Sequence, residues 1–101
     1  MRLDKFMKVS RLAKRRTEAH EALVAGRITL VSRLDAPSHD ERPLKPGFDV
    51  RAGDVITLHY ATKFLTVRIL LVPGRVTPAL RSVPLYEVLG ERREEPVDWL
   101  S

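Results

Sequence analysis

The apolar residues change their period at Gly26–Arg27, and that change restricts the fold class more than any other feature. Ahead of it, Leu3, Phe6 and Met7 recur at i, i+3 and i+4, which is the spacing of one helical face. Ala19, Ala22 and Leu23 give a second helix its buried stripe, and the small alanines let the two helices pack closely. Beyond it, residues 28–31 are rich in β-branched side chains, and residues 55–60 and 64–72 alternate in and out across a turn at 61–63. In the first hairpin strand Val55, Thr57 and His59 take one face, and Ile56, Leu58 and Tyr60 the other. Helices first and strands after predict an α+β domain, with two N-terminal helices packed on a small, mainly antiparallel sheet.

The punctuation agrees. Gly26 suits the stop of the second helix, and Thr17, followed by Glu18, reads as its N-cap. Residues 32–47 hold Pro37, Pro43 and Pro46 among polar residues and read as a loop. Gly53, in a turn that enters the first hairpin strand, is expected at positive φ. Leu85, Val88 and Leu89 sit at helical spacing and predict a short C-terminal helix over residues 84–89, with a charged mobile tail from 91 to 101. The domain reading is therefore residues 1–72, with a loop insertion near 32–41, followed by an extension over 73–101.

Charge narrows the function. The chain carries 18 Lys and Arg against 13 Asp and Glu, for a net +5. Nine of those basic residues fall within the first 33 positions beside only three acids, Asp4, Glu18 and Glu21. Excess positive charge confined to one end points to a polyanionic partner, nucleic acid before membrane. On a helical wheel Asp4, Lys5 and Lys8 oppose the apolar stripe, with Arg2 at its border, and Asp4 and Lys8 form an i, i+4 pair. Arg15 and Arg16 precede a helix N-terminus, whose unpaired amides and positive dipole end favour an anion. An arginine fork matches phosphate oxygens two at a time. These residues predict a phosphate-binding corner extended by Arg2, Lys5 and Lys8. Structural pairing of Arg15 and Arg16 with Glu18, Glu21 or Asp4 is the competing reading.

At these residues the chain resembles a known family. MRLDKFMKVSRLAKRRTEAHEALVAGRI is similar to the opening of the S4 RNA-binding domain, with its RLDKFL, SRL, KRRT and A-GR elements. Among its members the stand-alone bacterial forms are most alike, the RqcP-like proteins and the related fifteen-kilodalton heat-shock protein. The resemblance continues through Lys45-Pro46 and the V-x-x-G-D-x-I pattern of Val50, Gly53, Asp54 and Ile56, covering residues 1–72. It implies the family's αL fold and an RNA-contacting set of Arg2, Asp4, Lys5, Arg11, Lys14, Arg15 and Arg16. Lys8 on the same helix and Arg27 at the end of the basic segment complete the expected RNA-binding residues. The resemblance further implies binding to large-subunit rRNA and tRNA, with RqcH as a candidate partner, in ribosome-associated quality control of stalled chains. In place of the family's compact Val-Asn-Gly turn stands the insertion near 32–41.

Other chemistries find little support in the residues. No cysteine is present, so disulfides and thiolate sites are excluded. His39, Asp40 and Glu41 are adjacent in a loop without metal-ligand spacing, and no serine has a nucleophile-elbow context. No enzyme activity, cofactor or metal is expected. With no apolar run long enough for a signal peptide or a membrane span, a cytoplasmic location is expected, and the chain is expected to be a monomer. Phe6, Phe48, Tyr60, Phe64 and Trp99 read as packing residues, because the sequence does not array them on one sheet face with basic neighbours. Two alternatives stand beside the quality-control reading. One is a heat-shock-type factor recycling large subunits; the other is a protein–protein adaptor working through the Pro-rich loop and the 85–89 segment.

Overall fold

The structure, a computed structural model, describes residues 1–34, 42–60 and 63–93. The 35–41 part of the insertion, with His39, Asp40 and Glu41, lies outside the described residues, as do the 61–62 turn and the 94–101 tail. Two helices, α1 (Leu3–Val9) and α2 (Arg16–Val24), precede β1 (Ile28–Ser32), β2 (Arg42–Pro43), β3 (Val55–Tyr60), β4 (Lys63–Ile69) and β5 (Tyr86–Arg93). The five strands form one antiparallel sheet in the order β2-β1-β3-β4-β5. This is the α+β arrangement predicted from the change of period.

One face of the sheet carries the core. Ile28 and Leu30 of β1, Ile56 and Leu58 of β3, and Val67 and Ile69 of β4 are buried against Leu3, Phe6 and Met7 of α1 and Ala19 and Leu23 of α2. The chain start is held to the segment before β3. Leu3 N–H donates to the Phe48 carbonyl at 2.8 Å, Val50 N–H to the Met1 carbonyl at 3.0 Å, and Arg2 bridges Asp49. Position 2 is thereby fixed by backbone bonds before its side chain is considered.

Four details depart from the sequence reading. The 84–89 segment is not a helix. Residues 86–93 form the edge strand β5, so 91–93, expected in the mobile tail, are strand as well; in it Val67 opposes Val88 but the next pair back is Thr66 with Gly90. Leu89 is the extra residue of a β-bulge, and the extra residue breaks the alternation of two that marks a strand. Leu85, Val88 and Leu89 thus fall at helical spacing by accident. The helical turn of this region is instead 3-10, at Pro78–Ser82. Within the expected loop, Arg42–Pro43 pairs with β1, and Pro43 is tolerated because β2 is an edge. α2 begins at Arg16, with extended Arg15 as N-cap and no side-chain cap bond, so Thr17 lies inside the first turn.

Gly53 holds φ +92, as its turn position requires. A Cβ there would come within 2.6 Å of Leu34 Cγ. Among the described residues no helix is long and apolar enough to cross a membrane.

Candidate nucleic-acid interface

Asp4 organises the first group of basic side chains. The wheel set it outward; the structure buries it, leaving its side chain 4% exposed. Its placement in the first helical turn lets Oδ1 accept the Lys5 amide at 2.8 Å. Arg2 reaches the carboxylate from the residue before α1, with Nε 3.4 Å from Oδ1. Arg16 reaches it from the first turn of α2, with Nε 3.5 Å from Oδ2, and His20 Nδ1 stands 3.9 Å from the same oxygen. Asp4 therefore turns to Arg2 and Arg16 rather than to Lys8.

The electrostatics follow from this packing. Burial alone pushes the Asp4 pKa up from 3.8; the Lys5 amide, then the charges of Arg16 and Arg2, outweigh it and hold the carboxyl below its usual range. Asp4 is thus a fixed anion at neutral pH. Arg2 and Arg16 remain half exposed, with side chains 55% and 51% accessible. One carboxylate cannot occupy two guanidinium groups of five donors each, so most of their N–H groups face solvent. Asp4 thus positions Arg2 and Arg16 side by side and leaves both guanidinium groups accessible from solvent.

A second group lies along the chain between the helices. Arg11, Lys14 and Arg27 line one open groove of about 690 Å³ together with Glu18 and Glu21. Arg11 occupies the left-handed region at φ 67, an uncommon conformation for a side chain with a Cβ. It terminates α1, with its amide donating to the Lys8 carbonyl at 3.2 Å. Lys5, Lys8 and Arg15 are exposed and belong to neither group. All nine residues expected at the interface are thereby placed, eight of them at the surface and Asp4 beneath two of the others.

Sequence reasoning missed two features. Arg33, counted with the basic end, is turned inward: Nε lies 3.0 Å from Asp54 Oδ1 and Nη2 donates to Oδ2 at 3.3 Å. Its guanidinium lies over the Phe48 ring, 4.9 Å from the centroid. The signal that could have found it was an acid at a strand start, Asp54, with an apolar neighbour on each side of the turn. The aromatic reading also needs correction. His59 and Phe64 do share a sheet face with basic residues, because β5 brings Arg92 beside Phe64. That strand was not foreseen.

Proteins of known name resemble this chain over nearly its whole length. No protein-family model matches the chain. The chain is 41% identical over 97 residues to the RQC P-site tRNA stabilizing factor of Halalkalibacterium halodurans, covering 96% of each. It is 42% identical over 93 residues to the factor of the same name from Bacillus subtilis, covering 92% of this chain and 96% of that one. For the Listeria innocua factor the identity is 36% over 95 residues, with 94% and 92% covered. Among solved structures, the trimeric Heat Shock Protein 15 of Vibrio cholerae superposes with a TM-score of 0.68, covering 87% of this chain and 80% of that one. At 24% identity this is a likeness of fold.

Proposed function

This chain belongs to the family of the RQC P-site tRNA stabilizing factors, and we propose that it is a non-catalytic RNA-binding factor acting in ribosome-associated quality control. In this reading it associates with the large ribosomal subunit in the cytoplasm as a monomer. It contacts rRNA and a tRNA there, and supports the handling of stalled nascent chains beside RqcH. The main RNA-binding surface belongs to residues 1–72, with Arg2, Lys5, Lys8, Arg11, Lys14, Arg15, Arg16 and Arg27 facing the nucleic acid and Asp4 aiming two of them.

The Asp4 cluster carries the reading. A buried anion draws together two arginines, one from the residue before α1 and one from the first turn of α2, and leaves both half exposed, so that paired cations face solvent. Two juxtaposed forks at an exposed helix corner fit phosphate oxygens of a folded RNA.

The test is sedimentation of tagged protein through a gradient, with RNA sequenced from the large-subunit fraction. The double variant Arg2→Ala with Arg16→Ala is expected to lose co-sedimentation at physiological salt. Its unfolding curve is measured on the same preparation, because removing both arginines strands the buried Asp4. The pair Arg2→Lys with Arg16→Lys keeps the charge, loses the fork, and serves if the alanine pair unfolds. Normal subunit binding by a folded double variant would overturn the site. Partners that survive ribonuclease treatment would favour the adaptor reading.

A further inference from the structure

The sheet face turned away from the helices is laid out in two rows. Thr29 stands opposite Thr57, Thr57 opposite Thr66, and Thr66 opposite Gly90. In the neighbouring row, His59 stands opposite Phe64 and Phe64 opposite Arg92. Arg27 closes that row, since the His59 amide donates to the Arg27 carbonyl at 2.8 Å. Four strand positions of threonine and glycine thus lie beside an Arg-His-Phe-Arg row. The His59 and Phe64 rings stack with centroids 4.2 Å apart and planes within 2°. The Arg92 guanidinium lies 5.1 Å from the Phe64 centroid.

These residues line an open trough of about 520 Å³, within the ~300–1,000 Å³ common for small-ligand clefts. Gly90 keeps it open, since a Cβ there would meet nothing within 4 Å. The acid on its rim, Glu91, is engaged by Lys63 Nζ at 2.6 Å, which leaves the arginines to set the sign of the field.

We propose that this trough is a second RNA contact, which takes unpaired nucleotides rather than duplex. The base packs against the ring stack and the threonine hydroxyls, and Arg27 and Arg92 hold the flanking phosphates. With His59 on one face of Phe64 and Arg92 over the ring, a base entering the trough takes the place of the guanidinium on the ring and frees it for a phosphate, because every base presents a π-face and stacking tolerates sequence. A peptide fits less well. An added strand needs a sheet edge, and an amphipathic helix needs an apolar groove, whereas this is a sheet face floored by threonines. Arg27 also lines the groove of Arg11 and Lys14, so the two surfaces are continuous through one residue. The inference rests on the chain being an RNA binder, and not on which RNA the helices hold.

The experiment measures fluorescence anisotropy of the full chain with two probes, an unstructured oligouridylate and a fully paired RNA hairpin. Phe64→Leu keeps the apolar bulk and removes the ring. It is expected to weaken oligouridylate binding by about tenfold or more, with hairpin affinity unchanged. Gly90→Val, a good strand former, puts a branched side chain into the floor of the trough and should do the same without loss of melting temperature. Arg92→Ala should lower the log–log salt slope for oligouridylate by about 0.7. Arg2→Lys with Arg16→Lys should show the converse pattern, losing the hairpin first. Ultraviolet cross-linking of wild type to oligouridylate should mark His59 or Phe64. Unchanged oligouridylate affinity in folded Phe64→Leu and Gly90→Val would overturn the proposal, as would cross-links confined to the helices. A wild type that binds hairpin but not oligouridylate would refute the trough alone. Binding to neither probe would refute the RNA-binding reading as well.

Discussion

Two buried aspartates in this small domain do opposite things with the arginines around them. Asp54 takes Arg33 through two bonds of 3.0 and 3.3 Å and also accepts the Arg51 amide at 2.8 Å. Arg33 is itself largely covered, with 19% of its side chain accessible. Asp4 is as deeply placed, yet its arginines are held at longer distances, 3.4 and 3.5 Å, and stand half in water. The first arrangement satisfies both partners and closes the turn before β3. The second satisfies the anion and leaves the cations with donors to spare. Burial of a carboxylate thus says nothing about function until the exposure of its partners is known.

The strongest way to break this comparison is Asp54→Asn. It leaves the Arg33 charge in a covered site, and such a loss costs about 3 kcal/mol. We expect that fall in denaturant unfolding, with RNA affinity of the folded fraction unchanged. A drop in RNA affinity at unchanged stability would show that Asp54, like Asp4, works for the interface.

Gly53→Val probes the same side more gently. Gly53 at φ +92 sets the turn that aims Asp54, and its amide donates to the Ile69 carbonyl at 2.7 Å. A β-branched residue there meets both an unfavourable φ and the Leu34 side chain. The expected cost is about 1–2 kcal/mol, read as a lower melting temperature with RNA binding intact.

Asp4→Asn tests the other half. Its arginines return to water when released, so the stability cost should be smaller, about 1 kcal/mol, while RNA affinity falls because Arg2 and Arg16 are no longer aimed. The pH dependence has a definite sign. The folded pKa of Asp4 is held below the ordinary 3.8, so its contribution is present above that value and lost as pH falls through the folded pKa. Stability followed from neutral pH into the acid range should decline less steeply for Asp4→Asn than for wild type below about pH 4. Parallel acid limbs would mean that Asp4 is not the anion that anchors the pair.

The elements that alternate cleanly were legible from sequence, and those that do not were lost. α1, β1 and the β3–β4 hairpin follow from residue spacing, and the positive φ of Gly53 follows from its turn. β5 was hidden by one bulged residue, Leu89, and with it went the only clue that Phe64 has a basic neighbour across a strand. The site was legible as a set of charges but not as an arrangement. A helical wheel ranks positions by angle alone, and Asp4 lies outward by angle. Its burial comes from α2, which lays Arg16 and His20 over it. Which arginine is engaged inward and which is presented outward depends on such tertiary partners, so Arg33 and Arg16 look alike in sequence.

Arg11 offers the smallest and sharpest test, because it carries strain where Arg2 and Arg16 carry an anion. Its φ of 67 suits glycine, and a side chain in that region costs about 1–2 kcal/mol. Glycine would relieve this cost but loosen the unfolded chain, which takes back about 0.4–1 kcal/mol. Arg11→Gly should therefore unfold at nearly the wild-type denaturant midpoint or slightly above it. If Arg11 is kept for a phosphate, the same change should weaken RNA binding and reduce the log–log salt slope by about 0.7–0.9. Arg11→Asn, which tolerates the same backbone without the charge, should behave as glycine does toward RNA. Neutral stability together with lost affinity would place Arg11 with the presented arginines of the Asp4 cluster. Unchanged affinity and salt slope would make it a helix terminator only, and would confine the interface to the side where Arg2 and Arg16 meet.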